Sequence, residues 1–399
     1  MINPILNASG SALPAIGAAQ FSFAPKTSAS QIVRMLDNIG ARIVRIDVPW
    51  ADTELAPGVY AIPPYVDGII AAAQASGRQV VLVLGYGNPL YPGSGAWNLP
   101  PRDAASCNAY GNYGAFVSAT YPTAIIEVFN EWNNPTYWAG APDPVQAAAL
   151  LTACVTKILA KNPAAQIMTA GVGPVAAPND QNPFMNALAT AAGPTIMGRM
   201  TAHAIHPYDA SHPPEALFDF IDAYRAAVPY TSGPIAVTEW GYTNAWIGTD
   251  DTKRAIYVAR MIGCAVVAGV KLLTIFGLHD TGADPNNIEY TFGLHKFDGM
   301  PKPAVAAMRA MMDALAGTVT YDAEQIGNVY RIALRKANGA VTKIVWTEAT
   351  TSVNWVEPMA APPHVVDTAG FRTWHRVMPD SSVQLTLGPT VPPVIITGT

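Results

Sequence analysis

The chain has 399 residues, more than one hydrophobic core requires, which favours two domains or one large domain with an appendage. Half of the residues are apolar and only 13% are charged, which excludes a disordered chain and is a poor match to the charge-rich surface networks of hyperthermophiles. The 23 basic and 28 acidic residues leave a net charge of -5 with no Lys/Arg run to meet phosphates, so nucleic acid is not an expected partner.

A first apolar run predicts a strand over 15–22, followed by a helix over 30–39. The alternation then repeats: strand 42–50 and helix 64–76, strand 79–88 and helix 105–121, strand 124–133 and helix 144–161, strand 166–173 and helix 183–191, strand 199–208 and helix 214–227, strand 234–242 and helix 252–268, strand 270–280 and helix 303–316. Pro or a Ser/Thr/Asp cap opens several helices, and Gly40, Gly77 and Gly193 follow helix ends. Eight strand–helix pairs in about 300 residues are the count of an α/β fold of the (β/α)8 TIM-barrel type. A doubly wound sheet usually has fewer strands and a Gly-rich phosphate turn after the first, and no G-x-G-x-x-G follows 15–22.

From Thr318 the pattern changes. Segments 318–322, 328–335, 341–348 and 382–387 alternate apolar and polar residues with no helix between them, and Asn338-Gly339 is a strong hairpin signal. The expected organisation is a catalytic barrel over 1–317 and a small antiparallel, β-sandwich-like accessory domain over 318–399. The longest apolar run, between Arg260 and Lys271, is shorter than the roughly 18 residues of a membrane span, so none is expected. Cys107, Cys154 and Cys264 form no metal spacing and no even disulfide framework, and the last two read as small buried hydrophobes. The opening Met1-Ile2-Asn3-Pro4 lacks the regions of a signal peptide, which leaves a cytoplasmic protein, or a secreted or periplasmic one whose leader was removed.

Barrel enzymes place reacting groups at the C-terminal ends of their strands. Two glutamates end otherwise apolar strands, in Val128-Phe129-Asn130-Glu131-Trp132 and Val237-Thr238-Glu239-Trp240. A carboxylate there costs free energy unless it is paired or hydrogen-bonded. The fourth and seventh strands stand on opposite sides of the barrel, so two inward carboxyls can face each other across a substrate, as glycoside hydrolysis requires.

These residues resemble the signature of the clan of retaining glycosidases on (β/α)8 barrels: Asn130-Glu131 after strand four, Glu239 after strand seven, His206-Pro207-Tyr208 after strand six, and Arg45 on strand two. Within the clan, Tyr86-Gly87-Asn88-Pro89-Leu90-Tyr91 and the trailing β domain are similar to glycoside hydrolase family 39 and bacterial exopolysaccharide-cluster relatives. The resemblance implies Glu131 as general acid/base, Asn130 on the sugar 2-hydroxyl, and Glu239 as the nucleophile that forms a glycosyl-enzyme. It also implies that Tyr208 bonds Glu239, that His206 lines the same floor, and that Arg45 brings its positive charge to Glu239. Period-two alternation predicts His206 and Tyr208 on one strand face. One departure is that the clan usually ends strand eight with a tryptophan, where this chain has Leu273-Thr274-Ile275-Phe276-Gly277; Phe276, His279 or Trp246 would take its place.

Six tryptophans, Trp50, Trp97, Trp132, Trp138, Trp240 and Trp246, fall at or beyond strand ends and predict an aromatic rim for an extended sugar cleft, walled by segments 88–103 and 282–301. The expected substrate-binding set is Asn130, Arg45, His206, Tyr208, Trp50, Asn88, Trp132, Trp240, Trp246 and Phe276. Glu127, of the same parity as Glu131, reads as a core carboxylate paired to Arg45 or Arg42. His203, His206 and His212 lack the spacing of a zinc site, so no metal or other cofactor is expected. The expected activity is retaining hydrolysis of a polysaccharide or oligosaccharide, endo-acting in view of the rim. Exo-action, transglycosylation, and a carbohydrate-binding barrel without catalysis are the alternatives.

Overall fold

The computed structural model describes residues 7–20, 27–175, 177, 180–231, 233–359, 363–368 and 375–398. Eight parallel strands form the barrel: β1 (Ala15–Gln20), β2 (Ile43–Pro49), β3 (Gln79–Gly85), β4 (Ile125–Val128), β5 (Gln166–Met168), β6 (His203–Ile205), β7 (Ile235–Trp240) and β8 (Leu272–Phe276). They pair in the order β5-β4-β3-β2-β1-β8-β7-β6, and a parallel bridge between Met168 and Ala202 links the two ends. The predicted tail of the first strand at 21–22 lies outside the described residues.

Val, Ile and Leu dominate these strands because both faces are buried, one by the helices and one by the barrel interior. At the base Ala15, Ile43, Val81, Ile125, Met168, Ala202, Ala236 and Leu272 pack together, giving one residue from the line of each strand. That layer closes the bottom and leaves the top for chemistry. Gly17 lets β1 approach β2 here: a Cβ on it would stand 1.7 Å from the Ile43 carbonyl oxygen.

The outer helices are α1 (Ala29–Asn38), α2 (Pro64–Ala75), α3 (Ala104–Thr120), α4 (Pro144–Lys161), α5 (Gln181–Met197), α6 (Ala216–Ala227), α7 (Asp251–Val267) and α8 (Pro303–Leu315). Reciprocal capping boxes start α1 (Ser28 with Gln31) and α3 (Asp103 with Ser106), and Pro occupies the first turn of α2, α4 and α8. Each such cap stabilises by about 1 kcal/mol.

Beyond the barrel lie β9 (Thr318–Ile326), β10 (Val329–Lys336), β11 (Val341–Thr347), β12 (Val353–Glu357), β13 (Pro363–Asp367), β14 (His375–Val377), β15 (Val383–Leu387) and β16 (Val394–Gly398), all paired antiparallel. The Asn338-Gly339 hairpin forms between β10 and β11, with Gly339 at φ +85°. The N-terminal strand Asn7–Gly10 pairs with β9, so both ends of the chain join this six-stranded sheet. A buried clamp ties the sheet to the barrel. Arg260 of α7 meets Glu215 at 2.8 and 2.5 Å, the Trp346 indole of β11 donates to Glu215 at 2.8 Å, and Gly263 makes room for the Trp346 ring. No described helix is long and apolar enough to cross a membrane.

Candidate active site

The predicted extension of the fourth strand to 133 does not form. β4 ends at Val128, and Phe129 and Glu131 take positive φ values of 72° and 41°. Such conformations cost about 1–3 kcal/mol each in a non-glycine residue. They persist because the Glu131 amide donates to the Gly171 carbonyl at 3.1 Å and Asn133 donates to the Gly173 carbonyl at 2.9 Å. The turn lifts Glu131 over the barrel mouth instead of leaving it on a strand. On β7 the pairing with β8 shifts register between Val237 and Trp240, and the consecutive Thr238 and Glu239 both reach the interior.

Arg45 rises from β2 at the centre. Its Nε and Nη2 donate to Glu127 at 2.7 and 3.2 Å, Nη2 to Asn130 at 2.8 Å, and Nη1 to Glu239 at 2.6 Å. Tyr208 donates its hydroxyl to the other Glu239 oxygen at 3.0 Å. His206 stands with Nδ1 at 2.8 Å from Glu131 and Nε2 at 3.0 Å from the Thr238 hydroxyl, which itself donates to Glu127 at 2.9 Å. Asn134 donates to the second Glu131 oxygen at 2.8 Å. Glu131, His206 and Glu239 each present one ligating atom within 4.8 Å of the others, which brings the two glutamates face to face.

The electrostatics follow from this geometry. The Thr238 hydroxyl spends its one hydrogen on Glu127, so His206 Nε2 must donate to it, while Nδ1 faces a carboxylate. Burial disfavours the imidazolium, but Glu239 and Glu131 outweigh it and hold His206 above its ordinary value. For Glu131, burial acts upward, and the His206 hydrogen bond and charge, Asn134 and Arg45 more than offset it, so the carboxyl sits below its ordinary range. Asp47, two residues above Arg45 on the same side of β2, is pushed up to about 7 by burial first, then by Glu239 and Glu127, against the pull of Arg45.

Two cavities meet at Glu239. One, of about 500 Å³, is lined by Gln20, Asp47, Tyr86, Trp97, Asn130 and Phe276 among others; the second, of about 530 Å³, includes Glu131, Asn134, Tyr208, Trp246, Glu289 and Phe292. Tyr137 and Phe276 line both. Segments 88–103 and 282–301 supply Trp97 to the first and Ile288, Glu289 and Phe292 to the second.

Arg45, Asn130, Glu131, His206, Tyr208, Glu239, Trp246 and Phe276 therefore converge. Phe276 takes the floor at the end of β8, packed against Tyr208 and Phe292 at 6.2 and 5.4 Å between ring centroids. His206 and Tyr208 come together past the end of β6 rather than on a strand, because β6 stops at Ile205.

Four expected sugar contacts are corrected. Trp132 and Trp240 are buried core residues lining neither cavity. Trp50 borders the first cavity, but its ring is buried between Tyr91 and Tyr113 and its indole donates to Glu54. Asn88 is buried and organises its own loop, bonding the Glu54 carbonyl and the Leu90 amide. Trp138 is likewise buried, which leaves Trp97, 58% exposed, and Trp246 of the predicted rim. Glu127 is the expected core partner of Arg45.

Sequence reasoning missed Asp47, Gln20, Asn134, Tyr137 and Thr238 as site residues, and Gly171 as the cradle of His206. A Cβ on Gly171 would stand 2.0 Å from His206 Nε2. The signal for Asp47 was available: it has the parity of Arg45 on a strand already marked for chemistry.

No family model and no curated protein matches the chain in sequence. Solved structures do match in fold. A family 39 glycoside hydrolase from the gut symbiont Bacteroides cellulosilyticus WH2 superposes with a TM-score of 0.77 at 19% identity, over 97% of this chain and 81% of that one. A family 39 β-xylosidase from Caulobacter crescentus gives 0.68 at 14%, over 98% and 96%. The catalytic domain of family 30 xylanase C from Talaromyces cellulolyticus gives 0.65 at 13%, over 97% and 96%. The fold is thus the TIM barrel with a small β domain, similar to that of glycoside hydrolases of families 39 and 30.

Proposed function

We propose that the protein is a retaining glycoside hydrolase acting on a polysaccharide or oligosaccharide, with Glu239 as nucleophile and Glu131 as acid/base. The observation that carries this reading is the facing pair, with carboxyl oxygens of Glu131 and Glu239 within 4.8 Å at the junction of two cavities. A nearest approach of this order suits the roughly 5–5.5 Å between the carboxyl groups of double displacement better than the roughly 6.5–9.5 Å that leaves room for an inverting water.

In this mechanism Glu239, steered by Arg45 and Tyr208, attacks the anomeric carbon, and the glycosidic C–O bond breaks as the leaving oxygen takes a proton from Glu131. The free protein keeps that proton in the Glu131–His206 hydrogen bond, where it moves from Nδ1 to the carboxyl as substrate seats. Water then enters from the second cavity, gives its proton to Glu131 and releases the sugar from Glu239. Asn130, oriented by Arg45, meets the 2-hydroxyl. The two cavities extend on both sides of Glu239, which favours internal cleavage of a chain over removal of terminal sugars.

The test is a polysaccharide panel assayed for new reducing ends, with product sizes and the anomer first released. Mid-sized products with retained configuration are expected, with turnover surviving strong chelator and falling at least 10³-fold in Glu239→Gln. Inverted product, or full turnover in Glu239→Gln, would overturn the assignment. Glycan binding with no turnover of any polymer by the wild type would establish a binding barrel instead.

A further inference from the structure

Among the described residues three line both cavities: Glu239, Phe276 and Tyr137. Tyr137 follows β4 and Phe276 ends β8, four strands away around the eight-stranded barrel, so the two rings meet the junction from opposite sides of the mouth. Tyr137 belongs to the turn that carries Glu131. The Asn134 amide donates to the Glu131 carbonyl at 2.8 Å and the Tyr137 amide to the Asn134 carbonyl at 3.0 Å, so one stretch of backbone sets both side chains. The Tyr137 ring stacks on Tyr86 with centroids 5.9 Å apart and planes 20° from parallel.

The hydroxyl of Tyr137 bonds to no described residue. Other tyrosines around the mouth are satisfied inside the protein. Tyr208 donates to Glu239 at 3.0 Å, Tyr91 to Glu54 at 2.6 Å, Tyr110 to the Leu84 carbonyl at 2.5 Å, and Tyr113 to the Val48 carbonyl. A largely buried phenol ordinarily has such a partner. Burial first, then the charges of Glu131, Glu239, Glu289 and Asp47, hold the Tyr137 phenol far above its ordinary value, so it keeps its hydrogen.

From this placement we propose that Tyr137 is a substrate-binding residue of the reacting centre: its ring covers one face of the sugar chain opposite Phe276, and its hydroxyl donates to a sugar hydroxyl beside the bond that breaks. The proposal rests on the glycosidase reading and adds a residue to it. Sugars carry apolar C–H faces and hydroxyls around their edges, so an aromatic ring with one hydroxyl meets both. Held by the turn and by the Tyr86 stack, the side chain loses little freedom when a glycan seats. Its hydrogen bond to the sugar breaks no bond within the protein.

The test compares Tyr137→Phe and Tyr137→Leu with the wild type, each as the full chain. The probes are cellohexaose, xylohexaose, mannohexaose, laminarihexaose and the polymer of the polysaccharide panel that yields most new reducing ends. Binding is measured by calorimetry with Glu239→Gln also present, and turnover without it. Tyr137→Phe keeps the ring and its stack, so it should melt with the wild type while kcat/KM for the best probe falls at least tenfold. Tyr137→Leu loses the ring as well, and should bind that probe a further severalfold more weakly and melt earlier. A Tyr137→Phe kcat/KM within twofold of the wild type would overturn the proposal. So would a Tyr137→Phe protein that melts as early as Tyr137→Leu, because the hydroxyl would then be structural. The outcome is separable from the catalytic reading. Glu239-dependent turnover indifferent to Tyr137→Phe keeps the hydrolase and removes Tyr137. Glycan binding that weakens in Tyr137→Phe, with no turnover by the wild type, does the reverse. A wild type that binds no probe overturns both.

Discussion

Replacing Asp47 by Asn should make the protein more stable at neutral and alkaline pH and leave its stability nearly unchanged in acid. The Asp47 carboxyl is buried on β2 beside Arg45, and burial with Glu239 and Glu127 raises it from 3.8 to about 7. Below pH of about 4 it is protonated in both folded and unfolded chains and contributes no pH dependence. Between about 4 and 7 the unfolded chain releases the proton while the folded one keeps it, so wild-type stability falls with rising pH. Some three pH units at about 1.4 kcal/mol each give about 4 kcal/mol at full size. Asn resembles the protonated acid and carries no such penalty. With an unfolding entropy of about 2.1 cal/mol/K per residue, that free energy corresponds to a Tm gap on the order of 5 °C. The assay is calorimetric melting of both proteins from about pH 4 to 8, read as the difference between the two curves. A gap that opens through that window supports the reasoning. A constant gap, or a variant that melts earlier near pH 8, would refute it and make Asp47 a stabilising anion.

The remaining predictions concern the groups around the two glutamates. Gly171→Ala would press a methyl against the His206 ring at 2.0 Å, so turnover should fall on the order of 10²-fold with unchanged far-UV circular dichroism; normal kinetics would show that His206 moves aside at no cost. The wild-type kcat/KM should decline only above the ordinary imidazole value of about 6.5, since His206 holds its proton above that value. In His206→Asn the alkaline limb should move to lower pH, being then set by the Glu131 carboxyl alone; an unmoved limb would assign the titration to another group.

The barrel was legible because its strands are apolar on both faces and its helices carry caps, so period and punctuation agree along the chain. Strand ends were not legible. Phe129 and Glu131 turn into positive φ through hydrogen bonds to Gly171 and Gly173, residues some 40 positions away that no local pattern reveals. The tryptophans misled for a related reason. A tryptophan just past a strand end faces the cleft only if the following loop stays open. Here Tyr91 folds back onto Trp50, with ring centroids 5.1 Å apart, and Phe129 packs on Trp138 at 5.5 Å. Charge was read as a property of the whole chain, where it nearly cancels, whereas the cleft gathers acids from five strand ends and loops.

Glu127 lines neither cavity, yet it holds the groups around the proposed catalytic pair. Its two oxygens face donors only: Arg45 Nε on one, and Arg45 Nη2, the Gly171 amide and the Thr238 hydroxyl on the other. One side chain thus ties β2, β4, β7 and the segment after β5 into a single frame. Glu127→Gln keeps the volume but turns an amide NH2 toward a donor whichever way it rotates. The variant should release Arg45 from its fixed angle, shift Asn130 and Glu239 with it, and lower kcat on the order of 10²-fold with a smaller change in KM. Because Glu127 is a positioning residue, Glu127→Asp with its shorter reach should recover little of the loss. A crystal structure of Glu127→Gln with Arg45 and Glu239 unmoved and kcat intact would show that the frame does not depend on this carboxylate.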